Sequence, residues 1–252
     1  MLAYSLSGPK SGPRVVFLHG VGISAWMWEA VVAHLPDYQA VLIDMPGHGE
    51  SRDVLWTSLE QTAEAVNETV SALPKAPTHL VGLSLGAYVG LLAMAQQPVA
   101  FQSAFLSGMH ASGMKLRWLY KAMTWVMAPL VPIPFVARRT ARGFGAEVTP
   151  FVAEAGKTRP KAFRQAFNQV VDFSLPRGLS EIQTRTVFAA GSKEHPLILE
   201  SLDELAAALP MAQAMTVADL GHAWPIEDPA RFAELLRGQF ERAATATNAS
   251  LP

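Results

Sequence analysis

The sequence predicts an α/β protein, a doubly wound and mostly parallel sheet with a block of helices inserted into it. Three observations carry that expectation. Short, nearly continuous hydrophobic runs, the mark of strands buried on both faces, recur at residues 14–18, 40–43, 78–82, 102–106 and 186–190. Helical patterns stand between most of them, at the short spacing of β-α-β units. Between 108 and 185 the rhythm stops, and a segment rich in Met, Trp and Phe and interrupted by prolines takes its place.

In chain order, residues 2–6 are expected as a short edge strand, closed by Ser7-Gly8-Pro9 and a second turn at Ser11-Gly12-Pro13. The strand at 14–18 leads into His19-Gly20-Val21-Gly22. Ser24 then caps a helix that runs to Leu35 and is stopped by Pro36. Residues 40–43 form the next buried strand, ahead of the loop from Asp44 to Ser51. Thr57 and Ser58 stand three before Glu60 and Gln61, a capping-box arrangement, and Leu59, Ala63, Val66, Val70 and Leu73 line one helical face. The strand at 78–82 turns at Ser84 into a small-residue helix that begins at Leu85 and is stopped by Pro98. After the inserted segment come a strand at 186–190, a helix at 197–209 and a strand at 214–218. Asp228 caps a last helix with Pro229 in its first position, and the small, polar tail from Ala243 is expected to fray. Residues 1–108 and 184–252 are therefore the core, and 109–183 a helical cap.

Composition narrows the function. A net charge of −1 with no basic block excludes an electrostatic footprint for nucleic acid. The absence of cysteine removes disulfides, thiolate metal sites and a cysteine nucleophile together. No histidine pair has the i, i+4 spacing of a zinc helix, so no metal is expected. The first 14 residues lack an apolar stretch behind a basic start, so no signal peptide is expected. The apolar stretch 116–136 is broken by Lys121 and by Pro129, Pro132 and Pro134. No stable membrane insertion is expected from it, and the chain reads as cytoplasmic. Nothing in the sequence fixes an oligomeric state.

The chemistry centres on Gly82-Leu83-Ser84-Leu85-Gly86, a serine with glycines at minus two and plus two between a strand and a helix. That spacing suits a sharp turn that holds the serine at its apex in a strained backbone conformation. The Leu85 N–H, at the helix start, would point toward a developing oxyanion. A serine hydroxyl needs a base to take its proton. Of seven histidines, His222 is the strongest candidate, because its glycine-containing loop follows the last strand and so reaches the same sheet edge as Ser84. The base in turn needs a carboxylate on its other ring nitrogen. Glu194 offers one, three residues past Gly191; Asp219 is the rival, but it shares the loop of His222 and would have to fold back.

Taken together, Leu18-His19-Gly20, Asp44-x-Pro46-Gly47-x-Gly49-x-Ser51, Gly82-x-Ser84-x-Gly86, Gly191-x-x-Glu194 and Gly221-His222 resemble the α/β-hydrolase superfamily. The likeness covers nearly the whole chain outside the insertion. It implies Ser84 as nucleophile, His222 as base and Glu194 as acid, with an oxyanion hole from the backbone N–H groups of Val21 and Leu85. Two departures stand out: the acid is usually aspartate, and the antiparallel strands at the family's start are shortened to one. The resemblance gives His19 and the Asp44–Ser51 loop parts in shape and turn geometry only, and no catalytic role.

The activity these residues imply is hydrolysis of a carboxylic ester through an acyl-enzyme, without a cofactor. Thioester hydrolysis and C–C bond hydrolysis are the enzyme alternatives on the same residues, and a ligand-binding receptor with little turnover is the non-enzyme alternative. The insertion carries Met109, Met114, Trp118, Tyr120, Met123, Trp125, Met127, Phe135 and Phe144. Most of these are expected to pack onto the sheet domain, and some to roof the cavity above Ser84. Trp118, Trp125, Trp224 and Met109 are the residues expected to touch substrate. No cluster of arginines or lysines points to an anionic substrate group, so the expected partner is a small, uncharged, apolar ester.

Overall fold

The computed structural model describes residues 1–96 and 101–249. One sheet holds the strands β1 (Tyr4–Ser7), β2 (Arg14–Leu18), β3 (Gln39–Ile43), β4 (Thr78–Leu83), β5 (Ser103–Ser107), β6 (Arg185–Gly191) and β7 (Ala212–Val217). Their order is β1-β3-β2-β4-β5-β6-β7, with β1 antiparallel to β3 and the other neighbours parallel. Strands β2 to β5 are buried at every position, which is why they read as hydrophobic runs and not as alternating patterns. Polar residues at their ends are paired: Arg14 donates from Nε and Nη2 to Gln39 Oε1, both at 3.1 Å, and from Nη1 to the Pro74 carbonyl.

The pleat divides each strand between two cores. Val16 and Leu18 face one of them, with Leu59, Ala63 and Val66 of α2 (Leu59–Ser71), Leu91 of the helix Leu85–Gln96, and Leu202 of the helix Pro196–Ala208. Val15 and Phe17 face the other, with Val31 of the single-turn α1 (Glu29–Val32) and Phe232, Leu236 and Phe240 of the C-terminal helix. Between β5 and β6 lie four helices, which follow α3 (Leu85–Gln96): α4 (Arg117–Met127), α5 (Pro134–Gly143), α6 (Val148–Ala155) and α7 (Pro160–Asp172). The two flanking strands still pair directly, Ser103 opposite Arg185 through Ser107 opposite Ala189. The insertion is bolted to the first half of the chain. Gln169 of α7 accepts from the Leu59 N–H at 2.8 Å and donates to the Thr57 carbonyl at 2.9 Å. A Cβ added at Gly47 would meet the Ala162 Cβ at 2.0 Å.

Two local expectations change. The segment after Ser24 is not one helix to Leu35: a 3₁₀ turn, Ala25–Trp28, precedes the short α1. Ser24 does cap it, accepting from the Trp26 N–H at 3.3 Å, and the Ala25 N–H is taken by Asp44 Oδ1 at 2.8 Å. In the tighter turn Ala25 and Trp28, three apart, fall on one side, and both are buried. After α8 (Pro196–Ala208) and α9 (Trp224–Glu227), α10 (Pro229–Ala249) continues past Ala243 instead of fraying there, because Phe240 and Ala243 are buried against the sheet domain. Pro98, expected to stop α3, lies outside the described residues. The Ser58 and Asp228 caps form as expected, accepting from the Gln61 and Arg231 N–H groups.

Candidate active site

Ser84 stands between β4 and α3 with φ at 52°, in the left-handed region that L-residues rarely adopt. Its own N–H donates to the Ser107 carbonyl at 2.8 Å, and its carbonyl accepts from the Ala87 N–H. The flanking glycines are required sterically. A Cβ at Gly82 would lie 2.4 Å from the Gly86 carbonyl oxygen, and one at Gly86 would lie 2.1 Å from the Leu18 carbonyl oxygen. The loop after β2 lies in ordinary contact with the turn, a Cβ at Gly20 standing 3.8 Å from the Ser84 Cβ. Val21 and Leu85, the two residues expected to supply oxyanion N–H groups, are thus next to Gly20 and Ser84.

His222 and Glu194 meet at the same edge. His222 Nδ1 is 2.6 Å from Glu194 Oε2, and the Glu194 side chain is fully buried. The second carboxylate oxygen accepts from the Gly191 N–H at 3.3 Å. The loops that carry the pair are zipped together, with Ser192 N–H donating to the Val217 carbonyl and Lys193 N–H to the Leu220 carbonyl. Gly108 completes the wall: a Cβ there would lie 2.8 Å from His222 Cε1. Behind it, Trp224 Nε1 donates to Ser107 Oγ at 2.8 Å and pins the His222 loop to β5. Asp219 does not reach the imidazole; its N–H donates to Ser192 Oγ and its carbonyl accepts from Lys193 Nζ. Among the described residues the Ser84 hydroxyl makes no hydrogen bond to His222, a contact that in unliganded enzymes is often long.

Ser84 and His222 open onto one cavity of about 310 Å³. Its walls come from the loop after β2 (Val21, Ile23, Met27) and from the insertion (Met127, Val131, Val136, Phe144, Phe151, Phe163, Phe167). His222 is the single titratable side chain among the lining residues. The four residues expected to touch substrate are elsewhere. Trp118 and Trp125 are 67% and 63% exposed on the outer side of α4, which packs on α7 through Thr124 and through Arg164, stacked 3.6 Å from the Trp125 ring. Trp224 and Met109 are buried in the cores and line no part of the cavity. Phe163 and Phe167 line the cavity instead. Their spacing of four behind Pro160, at the start of a helix, was the readable signal.

The histidines near the site serve structure. His19 Nε2 accepts from the Met45 N–H at 2.9 Å, so the proton is on Nδ1, which donates to the Gly20 carbonyl at 2.7 Å. Burial pushes its pKa down to about 4, and burial together with neighbouring His19 pushes that of His48 down to about 3. Asp44 holds the two loops together, accepting from the Ala25 and Glu50 N–H groups at 2.8 Å each. Among the described residues no three His, Asp or Glu side chains are grouped to hold a metal ion.

This sheet order, with a strained serine after the central strand and a histidine–carboxylate pair at its C-terminal edge, is that of the Alpha/beta hydrolase family. A profile of that family matches residues 15–235, and the chain belongs to it. A pimeloyl-[acyl-carrier protein] methyl ester esterase of Xanthomonas oryzae pv. oryzae is 26% identical over 230 residues, 84% of this chain and 88% of that enzyme. A 2-succinyl-6-hydroxy-2,4-cyclohexadiene-1-carboxylate synthase of Enterobacter sp. is 30% identical over 104 residues, 41% of this chain and 40% of the synthase. That match spans less than half the length of the relative. Among solved structures, a hydrolase from Pseudomonas aeruginosa PA01 superposes with a TM-score of 0.80 at 23% identity, over 95% of this chain and 94% of that one, a likeness of fold.

Proposed function

We propose that this protein is a serine hydrolase that cleaves uncharged carboxylic esters through an acyl-enzyme. The observation that carries the reading is the 2.6 Å pairing of His222 with the buried Glu194 carboxylate, beside an apolar cavity that Ser84 also lines. A carboxylate on Nδ1 orients the imidazole and leaves Nε2 as its basic nitrogen. Nε2 takes the Ser84 proton as Oγ attacks the ester carbonyl, and the N–H groups of Val21 and Leu85 hold the oxyanion. The intermediate collapses, the leaving alkoxide takes the proton from His222, and Ser84 is left acylated. Water then gives a proton to His222 and attacks the acyl carbon, and the carboxylic acid departs as Ser84 recovers its proton.

Two further observations support an ester without charge. An ionised group in the cavity would find no partner among its apolar walls, a costly burial. The Xanthomonas relative is named as a methyl ester esterase. The test begins with a fluorophosphonate, which labels activated serines; Ser84 should be the labelled residue. Hydrolysis of p-nitrophenyl acetate, butyrate, hexanoate and octanoate follows. Each methylene accommodated should contribute about 0.8 kcal/mol, about fourfold in kcat/KM, until the cavity is full. A maximum at acetate, or faster turnover of a carboxylate-bearing ester, would sink the substrate class. Ester binding without labelling would make the chain a binding protein instead.

A further inference from the structure

We infer that the helical insertion docks the protein onto an anionic membrane surface, with α4 and the start of α5 lying in the interface. Helix α4 buries one residue, Thr124. Trp118, Leu119, Met123, Trp125 and Val126 are between 41% and 67% exposed, and Phe135, in the first turn of α5, is 72% exposed. So much aromatic and aliphatic surface on two successive helices marks an interaction face, not scattered surface residues.

The charge around this face says what covers it. Eleven of the 20 lysines and arginines, but four of the 21 acids, fall between residues 109 and 183. The insertion therefore carries a formal +7, and the rest of the chain −8. Phe135, Arg138, Arg139 and Arg142 follow the i, i+3, i+4, i+7 pattern of one helix face, and all four are exposed. Among the described residues Arg138, Arg139 and Arg142 form no ion pair, nor do Lys115 and Arg117 beside Trp118. An anionic bilayer supplies both missing partners, a headgroup region where tryptophan settles and phosphates for the arginines. A second copy of the chain does not, since it would set one strongly basic insertion against another. The uneven charge also orients the approach, because the surface that attracts the insertion repels the acidic core.

The arginines of α5 suit an interfacial helix pair, with the charges among the headgroups and the aromatic side chains below them. No single described helix is long and apolar enough to cross a membrane; Arg117–Leu130 and Pro134–Gly143 reach that length and apolarity only as a pair, and they are bent by 114°. Met127, 45% exposed at the end of α4, also lines the cavity of Ser84, so apolar surface runs from the docking face to the site. Delivery of a bilayer-borne ester along that path rests on the hydrolase reading; docking itself does not.

The test is co-sedimentation of the full chain with vesicles of phosphatidylcholine, with and without phosphatidylglycerol. Binding should require phosphatidylglycerol, weaken with added salt, and shift Trp118 and Trp125 emission to the blue. The substitutions V126E with F135E, and R138E with R139E and R142E, should each weaken it at least about tenfold. Both variants should retain fluorophosphonate labelling of Ser84 and turnover of a water-soluble ester. Vesicle binding by a chain whose Ser84 does not label would sink the hydrolase reading and leave docking standing. No binding at low salt, equal binding to neutral vesicles, or binding untouched by both sets of substitutions would overturn the docking. So would a lipid-free dimer that V126E with F135E dissociates.

Discussion

Ser84 at φ 52° stores backbone strain, of order 1–3 kcal/mol for a residue with a side chain. The bonds of its N–H to Ser107 and of its carbonyl to Ala87 hold it there. If Ser84 and His222 act as proposed, Ser84→Ala and His222→Ala should each lower ester kcat by about 10⁶-fold. Retention of a tenth of the activity in either would remove that residue from the mechanism. For the acid, Glu194→Gln should cost on the order of 10³–10⁴-fold in kcat. Asp219→Asn should change it less than about twofold, as Asp219 uses only backbone atoms toward its neighbours. A larger loss at Asp219 than at Glu194 would reverse the assignment. That Ser84 and His222 lie at one sheet edge was legible, because a glycine spacing and a position after the last strand place them. Glu194 was preferred to Asp219 from loop position and resemblance, but that its carboxylate faces the imidazole is seen only in the fold, since sequence separation does not fix it. The cavity wall was not legible, and Trp118 and Trp125 do not line it, because an apolar helix face does not disclose which neighbour it meets.

At the scale of the element, the turn from β4 into α3 tolerates no added carbon. Gly86→Ala drives a Cβ into the Leu18 carbonyl, a rigid backbone group on the neighbouring strand. It should cost more than about 3 kcal/mol in urea unfolding or yield no soluble protein. Gly143, the last residue of α5, is the control, with nothing within 4 Å of the position of its Cβ. Gly143→Ala should raise stability by about 0.5–1 kcal/mol, by restricting the unfolded chain. Equal effects at the two glycines would show that crowding at the turn is not what selects Gly86. The buried strands were readable for a related reason: burial on both faces leaves an unbroken hydrophobic run. The stretch after Ser24 was not, as its turn is tightened by Asp44, a residue 20 positions further on.

For the whole molecule, buried histidines tie stability to pH, three of them strongly. Burial holds His19 and His79 down to about 4 and, with help from His19, His48 down to about 3. In the unfolded chain each would titrate near about 6.5. Between those values the unfolded state binds more protons, so their contribution is complete above pH ~6.5 and is lost as pH falls toward about 4 and below. The urea midpoint should therefore fall steadily below pH ~6.5. His79 is the cleanest probe, stacked on Phe240 with Nδ1 2.8 Å from Ser103 Oγ and away from the site. His79→Gln should make the slope shallower by up to about 1.4 kcal/mol per pH unit. A wild-type slope that is flat between pH 7 and 5 would contradict all three shifts.

The direct pairing of β5 with β6 across the inserted helices has a consequence in time. Ser103–Ser107 leaves the ribosome well before Arg185–Gly191, the strand that covers its edge. At roughly 5–20 residues per second, that interval is on the order of 4–16 seconds. Throughout it the nascent sheet carries a bare, fully buried-type edge, open to pairing with another chain. Ser84 is already made, but Glu194 and His222 are not. The helices that wall the cavity of Ser84 are also what keeps the growing chain exposed the longest.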